Sequence, residues 1–149
     1  MLLFMALAVF SFFSVPFALC EVFRMGNETV HVIIIDDEDM VRINLADFLE
    51  DEGYVVSHVK SGEEGLELIK KQAYNVAIVD MRLPGIDGNT FILKACAVQP
   101  ALKYLIHTGS ADYTLPEELK MLGICPASIL YKPVQDMDII KAGVVNLLR

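Results

Sequence analysis

Five polar residues stand at the ends of four apolar runs, and their types define a chemistry before any fold is considered. Asp36 and Asp37 follow Val30-His31-Val32-Ile33-Ile34-Ile35, and Asp80 follows Val76-Ala77-Ile78-Val79. Thr108 follows Lys103-Tyr104-Leu105-Ile106-His107, and Lys132 follows Ser128-Ile129-Leu130-Tyr131. Three carboxylates gathered at one place repel one another unless a cation sits among them. Oxygen ligands with no His or Cys beside them suit a hard divalent ion, Mg²⁺ or Mn²⁺. Such an ion keeps several waters and commonly takes a phosphate as a further partner. A lysine ammonium and a threonine hydroxyl are donors suited to the oxygens of a phosphoryl group in transit. Taken singly, each residue has an ordinary use: the acids as strand ends or caps, the threonine as a turn former, the lysine as a surface charge. Their joint occurrence at four run ends carries the reading.

The elements that must position these residues are legible in the same sequence. Val30 to Ile35 is β-branched and nearly continuous in apolar character, as a strand buried on both faces of a parallel sheet is. Asp39 is suited to cap a helix that places Val41, Leu45, Phe48 and Leu49 on one face and ends at Gly53. A second strand begins at Tyr54-Val55-Val56, and Ser61-Gly62-Glu63-Glu64 opens a second helix carrying Leu66, Leu68 and Ile69. The acidic group Glu63, Glu64 and Glu67 reads as an exposed helical face. Val76 to Val79 is a third strand, followed by the turn-rich Pro84-Gly85-Ile86-Asp87-Gly88 and a helix over about 89–98. Lys103 to His107 is a fourth strand. Pro116-Glu117-Glu118 has the form of a first helical turn. Ser128 to Tyr131 is a short fifth strand, and Met137, Ile140, Val144, Leu147 and Leu148 stripe a closing helix.

Five strands alternating with five helices predict an α/β domain with a doubly wound five-stranded parallel sheet, because parallel neighbours need crossover connections. In such sheets the ligand site lies beyond the carboxyl ends of the strands, where strand order reverses. All five polar residues fall on that rim.

The acidic pair after the first strand, the run Val79-Asp80-Met81-Arg82-Leu83-Pro84-Gly85-Ile86-Asp87-Gly88, the Thr108-Gly109 step and Lys132-Pro133 together closely resemble the receiver domain of two-component response regulators. The resemblance is to single-domain, chemotaxis-regulator-like receivers and covers Val30 to Arg149, so that 29–149 is expected to be the receiver, with no output domain following. It implies the flavodoxin-like (βα)5 fold with strand order 2-1-3-4-5. It also implies that Asp80 accepts a phosphoryl group from a histidine kinase or histidine phosphotransfer protein in a phosphorelay. Asp37, Asp80 and the backbone carbonyl of Arg82 would bind Mg²⁺ directly, with Asp36 acting through water. Thr108 and Lys132 would hold the phosphoryl oxygens, the Arg82 side chain would modulate the lifetime of the modification, and the Lys132-Pro133 bond would be cis. The downstream protein target is not named by the resemblance.

Three positions depart from the family pattern. Leu83 stands where Met is commoner, and Cys125-Pro126 replaces the usual Gly-Ala before the last strand. Ile129, three before Lys132, replaces the Tyr or Phe that serves receivers as a switch. The alternative function is a Mg²⁺-dependent phosphohydrolase of the haloacid-dehalogenase type, which also uses a strand-end Asp. That chemistry needs a second acid two residues on, where Arg82 stands.

Composition narrows the field further. The 149 residues carry 12 Lys and Arg against 20 Asp and Glu, a net charge of -8, with no basic stripe. Direct nucleic-acid binding needs clustered cations and is excluded on that ground. Cys20, Cys96 and Cys125 are widely spaced and form neither a disulfide framework nor a zinc motif. His31, His58 and His107 lack metal-ligand spacing and read as structural.

The apolar segment 1–25 is a separate matter. Met1 to Cys20 is free of charge and long enough to span a bilayer, for which about 20 apolar residues are needed. Three readings are open, ranked as translation starting at Met25, then an inner-membrane anchor, then a signal peptide, which lacks a basic residue before its apolar run. A membrane partner is expected only if this segment is made and inserted. A receiver supplied by an ATP-fuelled kinase is expected in the cytoplasm.

Overall fold

The computed structural model describes residues 28–149; the apolar N-terminal segment, with its three readings, lies outside the described residues. Five strands alternate with five helices: β1 (His31–Ile35), α1 (Asp39–Asp51), β2 (Val55–Val59), α2 (Gly62–Lys71), β3 (Val76–Val79), α3 (Gly88–Val98), β4 (Lys103–Thr108), α4 (Glu117–Met121), β5 (Ile129–Tyr131) and α5 (Met137–Leu148). A short 3₁₀ turn, Pro126–Ser128, leads into β5. The sheet is parallel throughout, in the order β2-β1-β3-β4-β5. No helix among the described residues is long and apolar enough to cross a membrane.

Strand alternation builds two cores, one on each face of the sheet. Val32, Ile34, Val76, Ile78 and Leu105 pack against Leu45 and Leu49 of α1 and Ile140 and Val144 of α5. Ile33, Ile35, Ala77, Val79 and Ile106 pack against Phe91 and Ala95 of α3 and Leu119 of α4. Leu105 and Ile106 are fully buried, so truncating either to Ala removes about 2–5 kcal/mol of stability.

The helices begin where local chemistry allows. Ser61 Oγ caps α2 by accepting from the Glu64 N–H at 3.3 Å, with Glu63 and Glu64 in the first turn and Lys70 and Lys71 in the last, matching the helix dipole. Asp87 caps α3 by accepting from Thr90 at 2.8 Å. Gly53 takes φ +91° just past α1, a left-handed position that glycine adopts without a Cβ penalty. Asp39 is not the cap of α1. Glu38 is the cap residue and Asp39 the first helical residue, where its carboxylate pairs with Arg42 and Lys60.

Candidate functional site

The ladder hydrogen bonds continue past the strand ends and set the spacing of the rim residues. The Asp36 N–H donates to the Val59 carbonyl at 3.2 Å, Asp80 N–H to the Ile35 carbonyl at 2.9 Å, and Lys132 N–H to the Thr108 carbonyl at 2.8 Å. Asp36 and Asp80 therefore continue the rows of Ile34 and Ile78, facing the layer of α1 and α5. Thr108 continues the row of Ile106 and faces the layer of α3 and α4.

Three carboxylates meet one ammonium here. Lys132 Nζ lies 2.8 Å from Asp36 Oδ2, 2.9 Å from Glu38 Oε1 and 3.1 Å from Asp80 Oδ2. Asp36 and Asp80 are buried, at 1% and 4% exposure, so their charges are costly unless paired. Burial lifts the Asp36 carboxyl above its ordinary pKa, against the opposing pull of Lys132 and the Glu38 N–H. Burial alone would lower the Lys132 pKa, but its hydrogen bonds to Asp36 and Glu38 and the charges of Asp36 and Asp80 hold it above the usual range. Lys132 in turn holds Glu38 below the usual carboxylate range.

Other contacts fix the loop that follows Asp80. The Arg82 N–H donates to Asp80 Oδ1 at 3.2 Å, while the Arg82 side chain is exposed. Gly88 presses on this turn: a Cβ there would lie 2.8 Å from Met81 Cα, against backbone that cannot move aside. The Glu63 carboxylate accepts from the Ile86 N–H at 3.0 Å and lies over Gly85, whose φ is +77°. Glu63 is exposed, as its sequence suggests, yet it ties the loop after Asp80 to α2.

The expected residues are thus unequally gathered. Asp36, Asp80 and Lys132 come together, and the Lys132-Pro133 bond is cis. Thr108 is buried beside them, its hydroxyl oxygen accepting from the Ser110 N–H at 3.2 Å. Asp37 is exposed and is not among the acids whose oxygens approach within 4.8 Å of one another; those are Asp36, Glu38 and Asp80. Ile129 is half-buried against the α3–α4 core. Tyr131, two residues on, is exposed, and its hydroxyl donates to the Tyr113 carbonyl at 3.4 Å.

Glu38 escaped the sequence reading, and of His107 the sequence showed only a structural role. No sequence signal singles out Glu38, which lies past the end of β1 at the cap of α1, where strand alternation no longer applies. His107 is 3% exposed and neither ring nitrogen has a partner. It lines a cleft of about 490 Å³ that runs from Lys132 between α1 and α5, past Val41, Leu45, Pro133 and Met137. Burial first, then the Lys132 charge, lowers its pKa to about 4, so the imidazole is neutral at pH 7.

The donor set fits a hard divalent cation. It consists of carboxylate oxygens alone, and the Lys132 ammonium already stands among them as a positive stand-in. A flavodoxin-like α/β domain with an acidic, cation-accepting rim at the point where strand order reverses is the class that fold and site define. A family model, the response regulator receiver domain, matches residues 32–143. The chain belongs to that family, the receiver domains of two-component response regulators.

Among its relatives is the sporulation initiation phosphotransferase F of Bacillus subtilis (strain 168), 27% identical over 66% of this chain and 78% of the relative. The transcriptional regulatory protein FixJ of Azorhizobium caulinodans is 33% identical over 82% of this chain, which spans only 57% of FixJ. A response regulator from Burkholderia pseudomallei, solved with a phosphorylated aspartic acid, calcium ion and citrate, superposes with a TM-score of 0.69 at 27% identity. That match covers 80% of this chain and 69% of the other. The phosphohydrolase alternative finds no support: the matched family is the receiver, and Arg82 occupies the place of the required second acid.

Proposed function

We propose that Asp80 is the phosphoryl acceptor of this receiver, taking the group from the phosphohistidine of a histidine kinase or histidine phosphotransfer protein. The observation that carries the reading is a buried carboxylate at the end of a central strand, 3.1 Å from a lysine ammonium, with a buried threonine hydroxyl at the next strand's end. The solved relative with a phosphorylated aspartic acid supports the same chemistry.

In the transfer, an oxygen of Asp80 forms a bond to phosphorus as the bond from phosphorus to the donor's imidazole nitrogen breaks. The Arg82 N–H holds Oδ1 and orients the carboxylate for attack. Lys132 passes from Asp80 Oδ2 to a phosphoryl oxygen, and the Thr108 hydroxyl, whose proton is not committed to Ser110, donates to another. Asp36, Asp37, Asp80 and the Arg82 carbonyl would hold Mg²⁺ or Mn²⁺, with Glu38 close enough to join them. When bound, the ion neutralises charge on the carboxylates and the phosphoryl oxygens. The chain's own chemistry is confined to this self-phosphorylation and its reversal by water, and its output is a changed surface for a downstream protein. Its donor draws on ATP, which sets it in the cytoplasm.

Intact-mass measurement with acetyl phosphate and Mg²⁺ tests the reading and shows whether the natively made protein begins at Met1 or Met25. The wild type should gain one phosphoryl group and Asp80→Asn none. Labelling of the Asn variant would move the acceptor elsewhere.

A further inference from the structure

We propose that Glu38 is a positioning residue for Lys132 that restrains phosphorylation by occupying one of the lysine's donors in the resting state; this rests on Asp80 being the acceptor. An ammonium has three N–H donors. Lys132 Nζ donates to Glu38 at 2.9 Å and to Asp80 at 3.1 Å and is ion-paired with Asp36 at 2.8 Å. A phosphoryl oxygen arriving at Asp80 therefore meets a lysine already engaged by three carboxylates, and one of them must yield.

The three partners are not equivalent. Asp36 is buried and has no water to return to, and Asp80 is the attacking group. Glu38 is 58% exposed, so its carboxylate exchanges the ammonium for solvent at small cost. Its commitment to Lys132 is nonetheless specific. Glu38 is the cap residue of α1, yet its side chain caps nothing. Its backbone N–H is held by Asp36 Oδ1 at 2.9 Å, and its carboxylate reaches instead to the far end of β5. One of its carboxylate oxygens also lies within 4.8 Å of an Asp80 oxygen, where its charge opposes an incoming anion. Competition for Lys132 and repulsion of the phosphoryl group act in the same direction.

Beryllium trifluoride, a phosphoryl mimic, reads this availability without chemistry. In saturating Mg²⁺, checked by titration for each protein, the full chain and its Glu38→Gln and Glu38→Ala variants would be titrated with the mimic and followed by NMR. Both variants should bind it about 2- to 5-fold more tightly, the range expected for removing one charged competitor at a partly exposed site. Both should also label faster with acetyl phosphate. A variant that had merely lost structure would bind more weakly, so a gain is diagnostic. Unchanged or weaker binding in both variants, with the wild type binding normally, would overturn the role of Glu38 alone. A wild type that takes up neither the mimic nor phosphate would overturn the acceptor assignment, and this inference with it.

Discussion

His107 should make the domain acid-sensitive by an amount that its surroundings fix. The imidazole is enclosed between β4 and the α1–α5 layer, with Lys132 near it and the opposing charges of Asp80 and Glu38 too weak to compensate. Its pKa falls from 6.5 to about 4 on folding. Between those values the unfolded chain binds a proton there and the folded chain does not. The neutral residue's contribution is therefore complete above about pH 6.5 and is lost as the pH falls toward 4. Linkage puts the loss between pH 7.5 and pH 5 at about 2 kcal/mol, a sizeable part of the 5–15 kcal/mol that holds a small domain together. His107→Leu keeps the apolar volume and removes the titration. Urea unfolding followed by far-ultraviolet circular dichroism, in EDTA at both pH values, measures the difference. Carboxylates and the other histidines titrate in both proteins and cancel in the comparison. The wild type should lose about 2 kcal/mol more than the variant. Equal losses would show that His107 is solvated or paired in solution, and the burial argument would fail.

Three further outcomes follow from the geometry. Gly88→Ala drives a Cβ into the Met81 backbone beneath Asp80 and should cost about 1–3 kcal/mol in urea unfolding; an unchanged midpoint would mean that the turn has slack. Arg82→Ala should change the rate of phosphate loss from Asp80 severalfold while leaving Mg²⁺ affinity nearly unaltered, since only the backbone of Arg82 meets Asp80. Equal lifetimes for the two proteins would remove the side chain from the site. With beryllium trifluoride, amide shifts should concentrate between Gly109 and Leu122, because Ile129 is β-branched, stiff and unable to swing as an aromatic does; changes confined to Ile129 would contradict this.

The sequence revealed what strand ends and burial dictate. Apolar runs such as Val76 to Val79 have one good solution, a strand covered on both sides, and their terminal polar residues necessarily share a rim. What it did not reveal was the division of labour within Asp36-Asp37-Glu38-Asp39, four consecutive acids equally able to cap, coordinate or face water. Composition cannot choose among them. The choice is made by where β1 stops and α1 starts, which buries Asp36, turns Glu38 to Lys132 and leaves Asp37 exposed. His107 was legible as structural from its lack of metal-ligand spacing. Its two unpartnered nitrogens were not, because they depend on what α1 and α5 bring over it.

The alternation of side chains along the strands divides labour within the domain. Asp36, Asp80, His107 and Lys132 lean on the layer of α1 and α5, whereas Thr108 and Ile129 lean on that of α3 and α4. The carboxylates with their lysine, and the threonine hydroxyl proposed to face the same phosphoryl group, thus rest on separate foundations that meet only across the thickness of one sheet. Repacking Leu115 and Leu119 would shift the threonine's side of the site while leaving the carboxylates and Lys132 in place. The reverse is equally open, by recutting the cleft beside Val41 and Met137.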